Sequence, residues 1–563
     1  MNFDDFNLNK QDWIYLVILV AFSFLCTTGV MLSRMPGGLL FPDAALYLIS
    51  ALKYAGLDFY NVADPKDLFY TPVISFLTSL FFRMGYVDKN AIIFVTSFFS
   101  FFAYVGMFFL LKNRFNSLLS LTGVIIFGSL SEVIFSISKG MIDVPVVSIS
   151  IWVLVFAIMA IDKNPKYFLV AFPLLVMAFF TKYVAGFILP LILLYYCMSR
   201  NIVDKFDCFL HDRTAFKQKL KCYLSSREFK YIIFSLLISL ILALIICKTL
   251  ILDFGGSLSF FQQSTETFNG HAYSTSGFDY NIDKSYYLDH LYDLFFKYMD
   301  FSYILVVLYG ICGLGLIMKG IKNFNILKSE KRPFKTKYLE KILIVASAVL
   351  IFASFLTFNV IPNHLVSNIC LLISLTFIHS ILQKFEVDNR ILSLDLLFLA
   401  YLLINFIFVS IYPVKVLRYA LPFIPPIIYF VILGLDGIVE DIDFNKLSKI
   451  KPDKSIPIIL MIIFLIPTAT AIYSMEFGND LDESCVFIMN NDSDYHNESF
   501  AAYFGHSRII RWYLNVNVTT LGIGDPNLET FDNTTYVILD DDIDFKNYHI
   551  IKTYGNFNVY HHD

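Results

Sequence analysis

Charge is scarce in this sequence. Asp, Glu, Lys and Arg make up 16% of the 563 residues, against 57% hydrophobic residues. A soluble chain needs about a quarter of its residues charged to cover its surface, so a soluble globular enzyme is excluded. Cysteine chemistry is missing too. There are eight Cys and no CxxC pair. Cys26, Cys197, Cys247, Cys312 and Cys370 fall in or at the ends of apolar runs, and only Cys485 lies beyond the last of them. That pattern gives neither a disulfide framework nor a cysteine-based zinc or redox site. No Walker loop, GxGxxG or HExxH occurs, and no repeat or low-complexity segment is present. The net charge of −4 carries no basic excess, and no nucleic-acid partner is expected.

What the chain does have is aromatic and aliphatic residues in long runs, with 60 Phe and 34 Tyr. Apolar runs near the thickness of a bilayer core occur at 13–33, 91–111, 117–138, 145–161, 167–181, 183–198, 232–252, 301–319, 341–358, 364–382, 394–411, 417–435 and 456–474. The expectation is a polytopic α-helical membrane protein with about thirteen transmembrane helices. The N-terminus, MNFDDFNLNKQDW, is acidic and has no basic n-region, so Trp13–Ser33 reads as a retained first span. Val73–Phe82 is too short to cross and fits an interfacial or re-entrant helix.

Charge between the runs sets an expected orientation. Ser199–Tyr231 holds eight Lys/Arg against four acids, and Lys322–Lys341 is dominated by Lys and Arg. The positive-inside rule places both in the cytoplasm. Counting spans from there makes the N-terminus cytoplasmic and puts 34–90, 139–144, 253–300, 359–363, 412–416 and 475–563 outside. The four Asn-x-Ser/Thr sequons, at Asn491, Asn497, Asn517 and Asn533, all lie beyond the last span. Chance in an Asn-rich chain gives the same cluster, yet an external tail is where such sites belong. The tail, 475–563, is polar. Strand-like runs at Cys485–Met489, Thr519–Gly522, Tyr536–Leu539 and His549–Tyr560, with a helical stretch at Ser499–Leu514, predict a small extracytoplasmic α/β domain following a transmembrane domain over 1–474.

Charges next to apolar spans are informative because they are expensive there. They gather near expected outer ends: Asp43 after the first span, Glu132, Lys139 and Asp143 around the third and fourth, Lys182 between the fifth and sixth, and Lys415 and Arg418 at the twelfth. A coupled transporter more often holds such groups at the midplane. Each also has a plain structural explanation. Asp43, after Pro42, either caps a helix running from Ala44 to Ala55 or serves as a base. Asp143 has the same two alternatives. Lys182 either snorkels or binds an anion. Tyr47 and Tyr70 line the first loop, and Tyr70 and Tyr419 also suit an aromatic belt. His271 and His364 are loop histidines, either surface residues or substrate contacts.

Taken together, these residues resemble the GT-C superfamily of polyprenyl-phosphate-sugar glycosyltransferases, in its protein O-mannosyltransferase and lipid A aminoarabinose transferase branch. The resemblance is carried by Pro42-Asp43-Ala44-Ala45-Leu46-Tyr47, Phe69-Tyr70-Thr71-Pro72, Gly140-Met141-Ile142-Asp143-Val144-Pro145, Lys182-Tyr183-Val184-Ala185-Gly186 and Arg418-Tyr419-Ala420-Leu421-Pro422. Their order and sidedness matter more than any one motif. One departure is Ala44, where the family commonly has a second acid.

The resemblance implies sugar transfer from a polyprenyl-phosphate (dolichyl-phosphate-like) donor to a lipid, protein or glycan acceptor at the outer face of the cell membrane. It implies Asp43 as general base, Asp143 as a second acid or acceptor contact, and Lys182, Arg418 and Tyr419 around the donor phosphate. Tyr47, Tyr70, His271 and His364 are possible substrate-loop contacts. No cofactor is required by this chemistry, and no metal ligand set is assigned. A multi-pass lipid or solute transporter with an external accessory domain explains the spans equally well but not the acidic first loop. An inactive scaffold of the same fold is the third alternative. The orientation is directly testable. A cysteine introduced into 475–563 should react with a membrane-impermeant maleimide in intact cells, and labelling that appears only after permeabilisation inverts the topology.

Overall fold

The computed structural model describes residues 9, 12–39, 41–57, 71–203, 221–253, 283–296, 302–329, 338–385, 388–441, 452–473, 480–521, 534–540 and 547–562. Among them, ten helices are long and apolar enough to cross a membrane, and an eleventh span results if Ser117–Gly128 and Ser131–Ser138, bent by 57°, are taken as one broken crossing. The expected thirteen is therefore too many. The runs at 167–181 and 183–198 fold as the shorter apolar helices Pro165–Thr181 and Tyr183–Ser199. At 1.5 Å per residue each reaches roughly 25 Å, short of a hydrocarbon core of about 30 Å. They do not merge into one span because Lys182 between them is extended, with φ −160° and ψ 128°.

The Asp143–Asp162 helix is the most enclosed of the candidate spans. It packs on Asn90–Lys112 and on Phe168–Thr181. Ile424–Asp441, which continues the chain from Arg418, is fixed by a backbone-to-backbone crossing with Ser302–Ser329. A Cβ on Gly434 would fall 2.4 Å from the Cys312 carbonyl oxygen, and one on Gly315 would fall 1.8 Å from that of Gly434. Glycine on both sides is what permits the approach.

The Pro42–Ala55 and Pro72–Arg83 helices lie at one end of this bundle, joined by residues 58–70, outside the described set. Both begin with Pro at the first helical position, where its missing N–H costs nothing. Gly56, with φ 73°, ends the first in a left-handed cap.

The C-terminal segment folds as the helix Asp480–Asn491, then strand β1 (Phe500–Tyr503), the helix Phe504–Leu514 and strands β2 (Val518–Leu521), β3 (Tyr536–Leu539), β4 (Tyr548–Tyr554) and β5 (Phe557–His562). The sheet order is β2-β1-β3-β5-β4. β1 runs parallel to both neighbours, and β5 is antiparallel to β3 and β4. Two expectations are corrected here. Cys485–Met489 is helical, because Leu481, Cys485 and Ile488 share one buried face and Asp480, Asp482 and Glu483 sit in the first turn, where the helix dipole favours acids. The stretch 499–514 is strand first and helix only from Phe504.

Side chains from alternate strand positions separate into two cores. Phe500, Ala502, Val518, Ile538 and Val559 join Cys485, Ile488 and Ile510 from the two helices, and also Ala44, Ala45, Leu48 and Ile74 from the first-loop helices. Ala501, Tyr503, Val537, Leu539 and Tyr560 form the other face. The C-terminal helices thus share one apolar core with the Pro42–Ala55 helix.

Candidate functional site

Asp43 stands in the first turn of the Pro42–Ala55 helix but does not cap it. The N-cap is Phe41, with φ −139° and no side-chain cap bond. The carboxylate is instead held by guanidinium groups. Arg418 Nη2 donates to Oδ2 at 2.8 Å, and Arg508 Nη1 to Oδ1 at 3.2 Å. Ala44 is fully buried. It lies beneath Gly140, whose φ is +67° and whose Cβ, if present, would stand 3.7 Å from that of Ala44 and 2.9 Å from Ile92. The turn at 139–142 needs glycine there, and it delivers Asp143 to the start of the next helix.

Asp143 is likewise not a cap, since Ile142 holds that position without a side-chain bond. Its side chain is 2% exposed, and its Oδ1 accepts a hydrogen bond from Lys182 Nζ. Lys182 is placed by the extended break between the two short helices. The preceding carbonyl, Thr181 O, accepts from Thr71 Oγ1 at 2.6 Å, so the start of the Pro72–Arg83 helix is tied to this break. Arg418 comes from a short 3-10 turn, Leu417–Phe423, and is buried. Its guanidinium lies 4.6 Å from the Phe41 ring centre and 5.5 Å from that of Tyr419. Lys182 Nζ is 4.5 Å from the same Tyr419 ring, so one aromatic ring serves both cations.

Asp43, Asp143, Lys182, Arg418 and Tyr419 therefore form a single cluster at the end of the bundle that carries the C-terminal sheet. Tyr47 is within electrostatic reach of Arg418. His364 is set apart, packed edge-on to Phe187 and Phe408 with ring centres at 6.4 and 5.3 Å. Tyr70 and His271 lie outside the described residues. Of the neighbouring charges singled out in the sequence, Lys139 sits over the rings of Phe41 and Phe135. Glu132 accepts from Ser136 Oγ at 3.4 Å. Lys415 is spent on the carbonyls of Val409, Ser410 and Tyr412 at the end of the preceding helix, and burial pushes its ammonium down to about 8.

Two buried atoms of the cluster, Arg418 Nε and Asp143 Oδ2, have no hydrogen-bond partner among the described residues. Unpaired buried polar atoms are costly, and at a cluster of this kind they mark places where a ligand completes the bonding. Among the described residues no three His, Cys, Asp or Glu side chains gather as a metal site. Sequence reasoning missed Arg508. It lies 465 positions from Asp43, in a tail read as a separate unit, and no motif joins the two.

Residues 70–211, which include Asp143 and Lys182, match the family model described as dolichyl-phosphate-mannose-protein mannosyltransferase. Among solved structures, ArnT from Cupriavidus metallidurans bound to undecaprenyl phosphate aligns with TM-score 0.56 and 10% identity, covering 98% of each chain. The same protein in its apo state aligns with TM-score 0.55 and 11% identity over 97% of each. At such identity the likeness is one of fold. A comparison of the sequence with curated proteins gives no match. The chain resembles the protein mannosyltransferases over the matched segment, about a quarter of its length, and ArnT in its overall fold.

The Asp143–Lys182 pair yields a stability test. Removing one partner of a buried pair leaves an uncompensated charge, at a cost of about 3–5 kcal/mol. Asp143→Leu should lower the melting temperature of the purified protein sharply. Asp143→Leu with Lys182→Met should recover most of the loss. A double variant as unstable as the single one would show that the loss does not come from a stranded charge.

Proposed function

We propose that the protein transfers a sugar from a polyprenyl phosphate to an acceptor hydroxyl at the outer face of the membrane, with Asp43 as general base and Lys182 and Arg418 binding the donor phosphate. The observation that carries this reading is the convergence of two acids and two cations from four separate elements, with Arg418 Nε and Asp143 Oδ2 buried and unpartnered among the described residues. The fold match to a protein whose crystal structure holds undecaprenyl phosphate supports it.

The chemistry follows from the charges. An acceptor hydroxyl is a weak nucleophile at neutral pH and needs its proton removed as it attacks. Asp43 takes that proton. The hydroxyl oxygen forms a bond to the anomeric carbon, the bond from that carbon to the phosphate oxygen breaks, and the electron pair leaves on the polyprenyl phosphate. Negative charge grows on the phosphate during this step. Arg418 and Lys182 stabilise it most where it is greatest, in the transition state. Guanidinium suits the task because its planar fork pairs with two phosphate oxygens. The leaving group carries a single phosphate and no nucleotide, so the step as written needs no divalent cation. Asp143 holds Lys182 and orients it. One base and no second nucleophile imply direct displacement with inversion at the anomeric carbon.

The test uses purified protein, radiolabelled dolichyl-phosphate mannose and an envelope fraction as acceptor. Asp43→Asn should insert normally and lose transfer by about 100-fold or more. Arg418→Lys should not be silent, because an ammonium cannot reproduce the fork, and Arg418→Ala should impair donor binding as well as turnover. Activity of Asp43→Asn within a few-fold of wild type would remove Asp43 from the base role. Wild-type values for both Arg418 variants would move the phosphate site elsewhere.

A further inference from the structure

The helix Phe504–Leu514 lies directly over the turn that carries Asp43, and several independent contacts hold it there. A Cβ on Gly505 would come within 3.3 Å of Pro42 Cγ. Trp512 stacks on Phe82 with ring centres 6.0 Å apart. Tyr513 Oη accepts from the Leu39 backbone N–H at 3.2 Å. Residues 505, 508 and 512 share one helix face, and that face is turned to the Pro42 and Pro72 helices. Next to this helix, Asp482 pairs with Lys89 at 3.3 Å and lies against the backbone at Gly38. Arg508 is therefore fixed by its helix, and its side chain is 15% exposed beside Asp43.

Charge counting gives this placement a meaning. Arg418 and Lys182 pair with Asp43 and Asp143, and Arg508 is a second guanidinium on Asp43. Each oxygen of Asp43 has its own guanidinium. If Arg418 turns to an incoming phosphate, Oδ2 loses its partner and the carboxylate remains in a half-buried, aromatic-lined place. Burial without a cation favours the protonated carboxyl, and a protonated carboxyl is no base.

We propose that Arg508 is a positioning residue of the transfer site: the C-terminal helix supplies it to hold Asp43 Oδ1, so that Asp43 stays ionised and aimed while Arg418 engages the donor phosphate. The C-terminal segment is then part of the active site. This inference rests on the proposed role of Asp43, and the experiment separates the two.

The other charged and titratable groups that bear on Asp43 or its partners include Arg418, Lys182, Asp143, Tyr47, Tyr419, Tyr287 and Lys139. Water-soluble carbodiimide reacts with protonated carboxyl groups, and mass spectrometry of the peptide bearing Asp43 reports the pH midpoint of its reaction without substrate. In the ligand-free full-length protein, where Arg418 still holds Oδ2, Arg508→Gln should raise that midpoint by about half a pH unit, and by about one unit or more once saturating dolichyl phosphate draws Arg418 away. Arg508→Lys, which keeps the charge, should leave it close to wild type. An unchanged midpoint in Arg508→Gln overturns the proposal, and so does an equal shift in Arg508→Lys.

Wild-type protein supplies a second test that does not depend on the variants folding. Saturating dolichyl phosphate, its binding confirmed by a rise in melting temperature, should move the midpoint by less than about half a unit, since Arg508 still holds the charge. A rise of a full unit overturns the proposal. Failure of dolichyl phosphate to bind at all counts against the proposed function instead, and the ligand-free comparison still decides the role of Arg508.

Discussion

The ion pair between Arg418 and Asp43 joins residues 375 positions apart and ties the first loop helix to the turn that opens the Ile424–Asp441 helix. Both side chains are largely buried, 10% and 20% exposed. Desolvating two charges is repaid only when they meet in good geometry. The surroundings supply that geometry through Phe41 and Tyr419 beneath the guanidinium, the left-handed turn at Gly140, and the glycine crossing that lets Ile424–Asp441 approach its neighbour. Loss of any of these would loosen the pairing of Arg418 with Asp43.

The same constraint explains why so few charges suffice. A membrane chain cannot scatter ionisable groups, so those it keeps are paired or placed at its ends. Among the described residues, pairs such as Asp12 with Lys112, Asp162 with Arg390 and Asp436 with Lys319 are satisfied within the protein. The cluster around Asp43 differs from them. It has more cations than acids and two buried atoms without partners, which suits an anionic ligand better than a structural lock.

Much of this was legible in the sequence, because hydrophobic runs and the rarity of charge are local signals. Asp43, Asp143, Lys182 and Arg418 stood out as acids and bases beside apolar spans, and the structure gathers all four. The span count went wrong where composition alone cannot tell a crossing from a shorter helix, at 167–181 and 183–198. The strand assigned to Cys485–Met489 failed because five apolar-leaning residues carry no clear period until the acids before them are read as a helix start. The cap explanations of Asp43 and Asp143 depended on shifts of the helix boundary by two residues and one residue, which sequence does not resolve. Arg508 was invisible for a different reason. Its partner lies across a tertiary contact between the tail and the first loop, and the shared core that makes this contact is spread over helices and strands far apart in the chain.

A structure of the full-length protein with dolichyl phosphate bound tests most directly whether the cluster around Asp43 receives the lipid phosphate. The phosphate is expected within hydrogen-bonding reach of Arg418 and Lys182, with Asp43 facing the space where the sugar would lie. A phosphate bound away from both cations, with the Asp43–Arg418 and Asp143–Lys182 pairs unchanged, would contradict it.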